Sequence, residues 1–258
     1  MVPPMETRPV LGTDLAAATY HTAVERILEM AADRSRPWAV EAANTMVVTM
    51  SRHDPEFRKV MERFDFIVPD GMPLVWCLNR QLPADQKLTD RVYGPTLMLH
   101  AFESTQKPES PSHFLLGGAP DVLEQLQKNM KDRFPGAVIA GAYSPPFGEW
   151  PAEEHERIFQ LIRDSGASLI WVGLGCPKQE RWIARFKDRL PPGVYFGIGA
   201  AFAFHANRVR QAPAFLQKIG MEWAFRMLTE PRRLFRRYLV NNSLFLWYLL
   251  TGDSKRRA

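Results

Sequence analysis

Residues 168–180 read Ser168-Leu-Ile-Trp-Val-Gly-Leu-Gly-Cys-Pro-Lys-Gln-Glu180, an apolar run that passes through two glycines and a proline into a polar segment. The apolar residues at its start, up to Val172, are typical of a buried β-strand. Pro177 stands where a helix can begin, because the first helical turn does not need the N–H that proline lacks. The pattern after it predicts a helix over residues 178–190. A strand, a glycine turn and a helix in this order are half of a βαβ unit.

The same alternation extends in both directions along the chain. Helical patterns cover residues 14–33 and 153–165, and Asp121 is expected to cap a helix that runs to Phe134. Strands that alternate with helices argue for a mostly parallel sheet with helices on both faces. The predicted fold is therefore α/β and Rossmann-like, with a C-terminal helical appendage. The other strand candidates are residues 38–49, which Asn44 interrupts, 64–68, 113–116, 137–143 and 194–198.

The positive charge of the chain is concentrated at its C-terminal end. Residues 205–258 carry 11 Lys or Arg and 3 Asp or Glu, a net charge of +8, whereas residues 1–204 carry 22 and 25, a net charge of −3. We therefore expect an α/β domain over residues 1–204 and a basic helical appendage over residues 205–258. Such asymmetry predicts a polyanionic partner for the appendage, either a nucleic acid or an anionic membrane.

Composition and cysteine content exclude several classes of protein. Of the 258 residues, 46% are hydrophobic and 24% charged, which excludes a disordered or polytopic membrane protein. Cys77 and Cys176 are too far apart to indicate a disulfide framework, and no cluster of His, Cys and carboxylates suggests a metal site. The N-terminus lacks the pattern of a signal peptide, and the apolar run 244–250 is far shorter than the about 20 residues that span a bilayer. A cytoplasmic protein is expected.

Polar residues and glycines follow several of the predicted strands. Open parallel sheets bind ligands at the carboxyl ends of their strands, so we expect one crevice lined by Asn44, Asp70, Gly117, Gly173 and Gly199. The glycine turns suit a phosphate at a helix N-terminus, but they equally suit tight connections. Neither glycine loop matches a dinucleotide or P-loop fingerprint. At this point Asp70 is either a reactive carboxylate or an ordinary Asp-Gly turn, and Arg91 is either a ligand contact or a surface ion pair.

An ordered set of short motifs runs through residues 8–239. The set comprises Arg8-Pro-Val-Leu-Gly12, Ala43-Asn44, Pro69-Asp-Gly71, Arg91-Val-Tyr-Gly94, Leu116-Gly-Gly-Ala-Pro120, Val172-Gly-Leu-Gly-Cys-Pro-Lys-Gln-Glu180, Gly197-Ile-Gly-Ala-Ala-Phe202, Glu222-Trp-Ala-Phe-Arg226, Glu230-Pro-Arg-Arg-Leu234 and Arg237-Tyr238. Each motif is short, but their order over most of the chain is specific. Together they resemble the WecG/TagA/CpsF family of bacterial glycosyltransferases, also called glycosyltransferase family 26.

The resemblance implies an inverting, metal-independent hexosyltransferase. Its substrates would be a UDP-sugar donor and a polyprenyl-diphosphate-linked glycan acceptor, and no cofactor or metal is expected. It also implies synthesis of bacterial cell-envelope or extracellular polysaccharide by a peripheral protein at the cytoplasmic face of the inner membrane. Inverting transfer needs a general base for the acceptor hydroxyl and groups that stabilise the departing diphosphate.

The resemblance assigns roles to individual residues. Asp70 matches the family's general base, and Arg91 and Gln179 match catalytic positions that contact the substrate or its diphosphate. Asn44 matches a sugar-contacting position, and Lys178 is expected to project near the ligand. The substrate-binding positions are completed by Gly71, Gly117, Gly118, Gly173, Gly175, Pro177 and Glu180, where glycines let the nucleotide approach the backbone.

Three positions depart from the family pattern. Ala42 stands where many members have threonine, Ala203 where many have aspartate, and Gln211 where many have arginine. The first two changes remove a hydroxyl and a carboxylate that would help to hold the substrate. We therefore expect donor choice to differ from that of better-known members, while catalysis through Asp70 is retained.

The C-terminal segment is expected to form helices over residues 213–228 and 231–250, because Pro213 and Pro231 each mark a helix start. At about 100° per residue, the second helix has a basic arc and an apolar arc, as in helices that lie in a membrane interface. The apolar arc comprises Leu234, Phe235, Tyr238, Leu239, Phe245, Leu246 and Leu249. The expected contacts with membrane or lipid diphosphate are Arg226, Arg232, Arg233, Arg236 and Arg237, each worth about 1 kcal/mol near anionic lipid.

The C-terminal segment and the function of the chain each have a second interpretation. The apolar face of the tail also suits packing on its own domain, and a packed tail is a candidate interface in a homo-oligomer. A catalytically silent nucleotide-sugar-binding or scaffolding protein is disfavoured by the intact Asp70, Arg91 and Gln179. No nucleic-acid partner is expected, because the tail carries a long apolar face rather than basic residues interleaved with exposed aromatics.

Overall fold

The computed structural model describes residues 5–229 and 231–251, apart from the side chains of residues 214 and 231–238. Within these residues a central sheet of six parallel strands has the order β4-β3-β8-β7-β5-β6, and a separate antiparallel hairpin is formed by β1 and β2. The strands are β1 (Thr7–Val10), β2 (Thr13–Ala16), β3 (Pro37–Ala43), β4 (Phe66–Pro69), β5 (His113–Gly117), β6 (Ile139–Tyr143), β7 (Leu169–Gly173) and β8 (Gly193–Gly197).

Helices connect the strands and cover both faces of the sheet. Beside them, Ala84–Gln86 forms a single 3-10 turn. The helices are α1 (Tyr20–Ala32), α2 (Thr45–His53), α3 (Pro55–Met61), α4 (Met72–Asn79), α5 (Gly94–Ser104), α6 (Pro120–Arg133), α7 (Ala152–Ser165), α8 (Lys178–Phe186), α9 (Gly199–His205), α10 (Ala214–Lys218), α11 (Glu222–Thr229) and α12 (Pro231–Leu250).

Alternating strand residues divide between two hydrophobic cores. In β7, Ile170 and Val172 face a core that includes residues of α7 and α8, whereas Leu169 and Trp171 face a core that includes residues of α1, α5 and α6. Successive side chains of a strand point to opposite faces, so a strand buried on both faces reads as a continuous apolar run. The α/β, Rossmann-like fold predicted from these runs is confirmed.

Several predicted boundaries were wrong, and the reasons are local. The apolar run 38–49 is a strand followed by a helix, because the Asn44 side chain accepts hydrogen bonds from the backbone of the first turn of α2 and caps it. Residues 14–16 belong to β2 rather than to the helix predicted over 14–33. Asp121 lies in the first turn of α6 and does not cap it, since the helix begins at Pro120. The helix predicted over 178–190 ends at Phe186.

The C-terminal segment folds back on the sheet domain. The helix predicted over residues 213–228 is interrupted near Gly220, whose φ of +72° is left-handed, and gives α10 and α11. The helix predicted over residues 231–250 is α12. Phe245 of α12 is buried in the core, and Thr45 at the start of α2 donates a 3.0 Å hydrogen bond to the Asn242 side chain. The proposed boundary between residues 204 and 205 falls within α9.

Candidate active site

A cavity of about 680 Å³ lies at the carboxyl ends of β3, β4, β7 and β8. Helices α11 and α12 contribute to its walls, so the C-terminal segment is part of the site. The sequence-predicted residues in the walls are Asn44, Asp70, Gly71, Arg91, Gly173, Gly175, Gln179, Glu180 and Arg226. Gly199, expected at the same edge of the sheet, also lies there.

Four predicted positions lie beside this cavity rather than in its walls. Gly118 donates a backbone hydrogen bond of 3.2 Å to the Gly173 carbonyl, and a Cβ on Gly117 would lie 2.7 Å from the same oxygen. Pro177 immediately precedes α8. Lys178 is exposed and its Nζ lies 5.8 Å from the centre of the Phe147 ring, because the first residue of α8 faces outward while the next two face inward.

A second cavity, of about 840 Å³, lies between α6 and the segment after α9 and adjoins the first at Phe204 and Val209. Its walls include Asn129, Arg133, His205 and Arg210, and they contain none of the sequence-predicted catalytic residues. The cavity at the ends of the strands is therefore the candidate active site.

Asp70 follows β4 and has a carboxyl group at the floor of the candidate active site. Its Oδ1 accepts a 2.6 Å hydrogen bond from the backbone N–H of Gly94, at the start of α5. Burial raises the pKa of Asp70 to about 6, while Arg91 and the Gly94 hydrogen bond oppose that rise and Glu222 adds to it. A carboxyl group with this pKa is largely ionised at pH 7 and is still basic enough to accept a proton.

Arg91 is buried in a network that joins the α/β domain to α11. Its Nη2 donates hydrogen bonds to Glu222 Oε2 (2.5 Å) and to Gln217 Oε1 (3.0 Å), and its guanidinium lies 4.1 Å from the centre of the Tyr93 ring. The Tyr93 hydroxyl donates a 2.6 Å hydrogen bond to Glu222 Oε1. Burial and the neighbouring Glu222 charge raise the pKa of Tyr93 far above its usual value, so Tyr93 is a neutral donor.

Gln179 ties together the loops that follow β7 and β8. Its Oε1 accepts hydrogen bonds of 3.0 Å from the backbone N–H groups of Gly175 and Gly199, and its Nε2 donates a 2.9 Å hydrogen bond to Glu180 Oε1. Both polar atoms of the Gln179 amide are thus hydrogen-bonded within the chain. Its direct effect is to fix two glycine loops at the edge of the cavity.

Asn44 has a structural part in the same wall. Its Oδ1 accepts hydrogen bonds of 3.0 and 3.3 Å from Met46 N and Val47 N, the first-turn donors of α2. Because these bonds occupy the side-chain oxygen, a contact between Asn44 and a ligand would come from its amide nitrogen.

Sequence reasoning missed three polar residues of the cavity walls. Tyr93 and Glu222 stand inside motifs that were noted without a role for these residues, and Glu41 is an acidic residue in the otherwise apolar strand β3. A carboxylate in a buried strand is itself a signal, because ionisable residues are seldom fully buried without a partner. The pairing of Arg91 with Glu222 carries no comparable signal, since 131 residues separate the two positions.

The basic arc predicted for α12 lies outside the described side chains, which do not include those of Arg232, Arg233, Arg236 and Arg237. The same applies to Leu234, Phe235 and Tyr238 of the predicted apolar arc. Of the rest of that arc, Phe245 and Leu249 pack on the core, whereas Leu239 and Leu246 are exposed. The apolar residues of α12 therefore divide between an inner and an outer face.

The exposed apolar residues of the C-terminal segment, together with Trp76 of α4 beside Gly220, form a group that we call the apolar rim. Trp247 is 53% exposed and Leu250 is 85% exposed. Among residues 5–229 and 231–251, no helix is both long and apolar enough to cross a bilayer, and no three His, Cys, Asp or Glu side chains cluster as metal ligands would. The members of the rim are Trp76, Phe215, Ile219, Met221, Leu228, Leu239, Val240, Leu246, Trp247 and Leu250.

Comparison with known protein families agrees with the motifs. The family model for the glycosyl transferase WecG/TagA/CpsF family matches residues 8–258, nearly the whole chain. The family implies a transferase that uses a sugar donor and a glycan acceptor in cell-envelope polysaccharide synthesis. The chain belongs to the WecG/TagA/CpsF family of glycosyltransferases.

Proposed function

We propose that the chain is an inverting, metal-independent hexosyltransferase. It takes a hexose-type sugar from a UDP-sugar and passes it to a polyprenyl-diphosphate-linked sugar in the synthesis of cell-envelope or extracellular polysaccharide. The observation that carries this proposal is the position of Asp70, a carboxylate with a pKa of about 6 in the wall of a cavity it shares with a buried arginine.

In the proposed reaction Asp70 is the general base. Its carboxylate accepts the proton of the acceptor hydroxyl as that oxygen forms a bond to the anomeric carbon of the donor sugar. The bond from the anomeric carbon to the diphosphate oxygen breaks on the opposite side, and UDP leaves with the electron pair. A base whose pKa lies near the working pH combines a useful ionised fraction with a driving force for proton transfer.

Arg91 and the loops tied by Gln179 would stabilise the leaving diphosphate. Negative charge grows on that group as the glycosidic bond breaks, and a fixed cation stabilises it most strongly where water is excluded. Arg91 is buried, and Arg226 lies in the same wall. Gly173 and Gly175 bring backbone close to the cavity, where a nucleotide would approach.

The apolar rim and the basic tail support peripheral binding at the cytoplasmic face of the bacterial inner membrane. Apart from Trp76, the rim lies on the C-terminal segment that also closes the cavity, so membrane contact would place the cavity near a lipid-linked acceptor. Anionic lipid and the acceptor's own diphosphate would both attract the arginines of the tail. The tail would then serve acceptor binding and membrane binding together.

The test measures UDP release from a panel of UDP-hexoses with a short-chain polyprenyl-diphosphate-sugar acceptor and EDTA present. We expect acceptor-dependent release by the wild type and a loss of roughly 100- to 10,000-fold in Asp70→Asn, because the amide cannot accept the proton. Asp121→Asn, which changes a surface aspartate paired with Arg208, is the matched control and keeps full activity.

Three outcomes would contradict the proposal. Full activity in Asp70→Asn would exclude Asp70 as the base and leave family membership standing. UDP binding without release from any donor would favour the catalytically silent binding protein. An activity abolished by EDTA and restored by a divalent cation would contradict metal-independent transfer.

A further inference from the structure

Two buried carboxyl groups lie together in the wall of the candidate active site. Glu41 is in β3 and only 1% exposed, and Glu180 is in the first turn of α8 and 0% exposed. The proposed chemistry gives Glu41 no role, although a buried acid is costly unless another group compensates it. A buried carboxyl group at position 41 would therefore destabilise the fold unless it has a compensating partner.

The surroundings of Glu41 are built around its carboxyl group. Glu41 pairs in register with Gly197 of β8, and a Cβ at position 197 would collide with Glu41 Oε2. Among the described residues, the neighbouring strand β8 contributes Gly197, α8 contributes Gln179 and Glu180, and the end of β4 contributes Asp70. The charged groups that act on Glu41 are thus both acidic.

The Glu180 carboxyl group lies within hydrogen-bonding reach of Glu41, whose buried Oε2 accepts no hydrogen bond from an N–H or O–H group of the described residues. Two carboxylates cannot share a hydrogen bond unless one of them carries a proton. Burial, followed by the charges of Glu180 and Asp70, raises the pKa of Glu41 well above its usual range, so Glu41 holds that proton. Glu180 is the acceptor, which agrees with the hydrogen bond that Gln179 Nε2 donates to its Oε1.

The hydrogen bonds continue from this pair to the edge of the cavity. Glu180 Oε1 accepts from Gln179 Nε2, which turns Gln179 Oε1 toward the backbone N–H groups of Gly175 and Gly199. If Glu41 lost its proton, two negative charges would face each other in a buried site, and the Glu180 side chain would have to move. Gln179 would then lose the partner that sets the orientation of its amide.

We infer that Glu41 is a positioning residue: with Glu180 it forms a proton-sharing carboxyl pair that orients the Gln179 amide and so holds the loops after β7 and β8 in place. The effect on the loops follows from the contacts within this chain. The consequence for turnover rests on the proposed function.

The test compares the wild type with Glu41→Gln and Glu41→Leu. Glutamine keeps a neutral hydrogen-bond donor of the same shape, whereas leucine fills similar space without a donor. Glu156→Gln is the control, because Glu156 pairs with Arg189 on the surface. The first measurement follows the NMR shifts of the Gly175 and Gly199 amides against pH, and it requires no substrate.

We expect the two glycine amides of the wild type to shift together as pH rises through the raised pKa of Glu41. This step is absent in Glu41→Gln, whose amides keep the neutral-pH positions of the wild type, and Glu41→Leu displaces both amides at every pH. Unshifted amides in Glu41→Leu, or a step that persists in Glu41→Gln, would overturn the inference.

The second measurement is the equilibrium constant for unfolding against pH. The folded wild type retains a proton on Glu41 that the unfolded chain releases near an ordinary carboxyl pKa. Wild-type stability therefore falls relative to Glu41→Gln as pH rises between the unfolded and folded pKa values. The ratio of the two unfolding constants should change about tenfold per pH unit in that window. Parallel curves for the two proteins would overturn the inference, even if Glu41→Leu fails to fold.

An activity assay separates this inference from the proposed function. In an active wild type, kcat should fall at high pH as Glu41 loses its proton, and this fall should be absent in Glu41→Gln. If the wild type transfers no sugar, the proposed function fails, while the amide shifts and unfolding constants still decide the role of Glu41.

Discussion

At the scale of single residues, the properties of Asp70 depend on the groups around it. Burial raises its pKa, and the nearby Arg91 and the Gly94 N–H lower it, so the value near 6 is a balance between large opposing effects. Glu222 contributes to this balance from α11, more than 150 residues further along the chain. The pKa of the proposed general base therefore depends on the C-terminal segment as well as on the residues next to Asp70.

We predict that Glu222→Gln shifts the pH dependence of transfer. In the wild type, kcat/KM should fall below about pH 6 as Asp70 becomes protonated. Glu222 raises the pKa of Asp70, so the neutral glutamine lowers it and moves this acidic limb to lower pH. Glutamine still accepts a hydrogen bond in the network, but it does not carry the charge that pairs with Arg91. We therefore expect a loss of about 1–3 kcal/mol in unfolding free energy.

The measurement is kcat/KM from pH 4.5 to 8, together with denaturant unfolding at pH 7. Glu156→Gln removes a surface carboxylate of the same type and leaves the acidic limb in place. An acidic limb that stays near pH 6 in Glu222→Gln would show that Glu222 does not act on Asp70.

At the scale of elements, the loop after β7 depends on close packing against α9. A Cβ at Gly173 would lie 2.6 Å from the Phe202 ring, and Phe202 is buried in the core. The sequence indicates that Gly173 is a turn glycine suited to a nucleotide. The structure shows that the Phe202 ring also leaves no space for a side chain at this position. Such a glycine has two reasons to stay small, and only one concerns a ligand.

We predict that Gly173→Ala lowers the free energy of unfolding by about 1–3 kcal/mol, because the buried ring has to shift to admit the methyl group. Gly71→Ala is the control for stability, since its Cβ would lie 3.7 Å from the nearest atom, at an ordinary contact distance. Urea unfolding of the three proteins checks this prediction. Equal stability for both variants would mean that Phe202 moves at no cost.

At the scale of the whole molecule, the C-terminal segment has two faces with different surroundings. Its inner face closes the candidate active site and reaches the core through Phe245, and its outer face carries the apolar rim. Large exposed apolar surfaces are typical of interaction sites. The proposed partner is the membrane that holds the acceptor.

We predict that replacing Trp247 and Leu250 by glutamine weakens binding to anionic vesicles by about tenfold or more, because both side chains are exposed and would enter the lipid interface. The melting temperature should stay within about 2 °C of the wild type, since exposed substitutions change stability little. Vesicle co-sedimentation at low salt measures the binding. Val138→Gln changes an exposed apolar residue outside the rim and is the control; equal losses in both proteins would contradict the assignment of the rim.

The sequence by itself determined the layers of the fold and the main points of the candidate site. Continuous apolar runs predicted strands buried on both faces, and residues placed after those strands, such as Asp70 and Gly173, were expected at one edge of the sheet. These predictions succeed because strand periodicity can be read locally from the sequence. In a parallel sheet the carboxyl ends of all strands lie at the same edge, so residues that follow different strands come close together. Sequence also located helix α12, since its proline start and length are local features.

Only the tertiary structure decided which groups meet. The Arg91–Glu222 pair and the Glu41–Glu180 pair join residues more than 130 positions apart, and no periodic pattern relates them. The apolar arc of α12 was visible in the sequence, but its division into Phe245 inside and Leu246 outside depends on where α2 lies. The physical reason is that hydrophobic periodicity reports that a face is apolar, whereas the partner of each side chain is fixed by how distant segments pack.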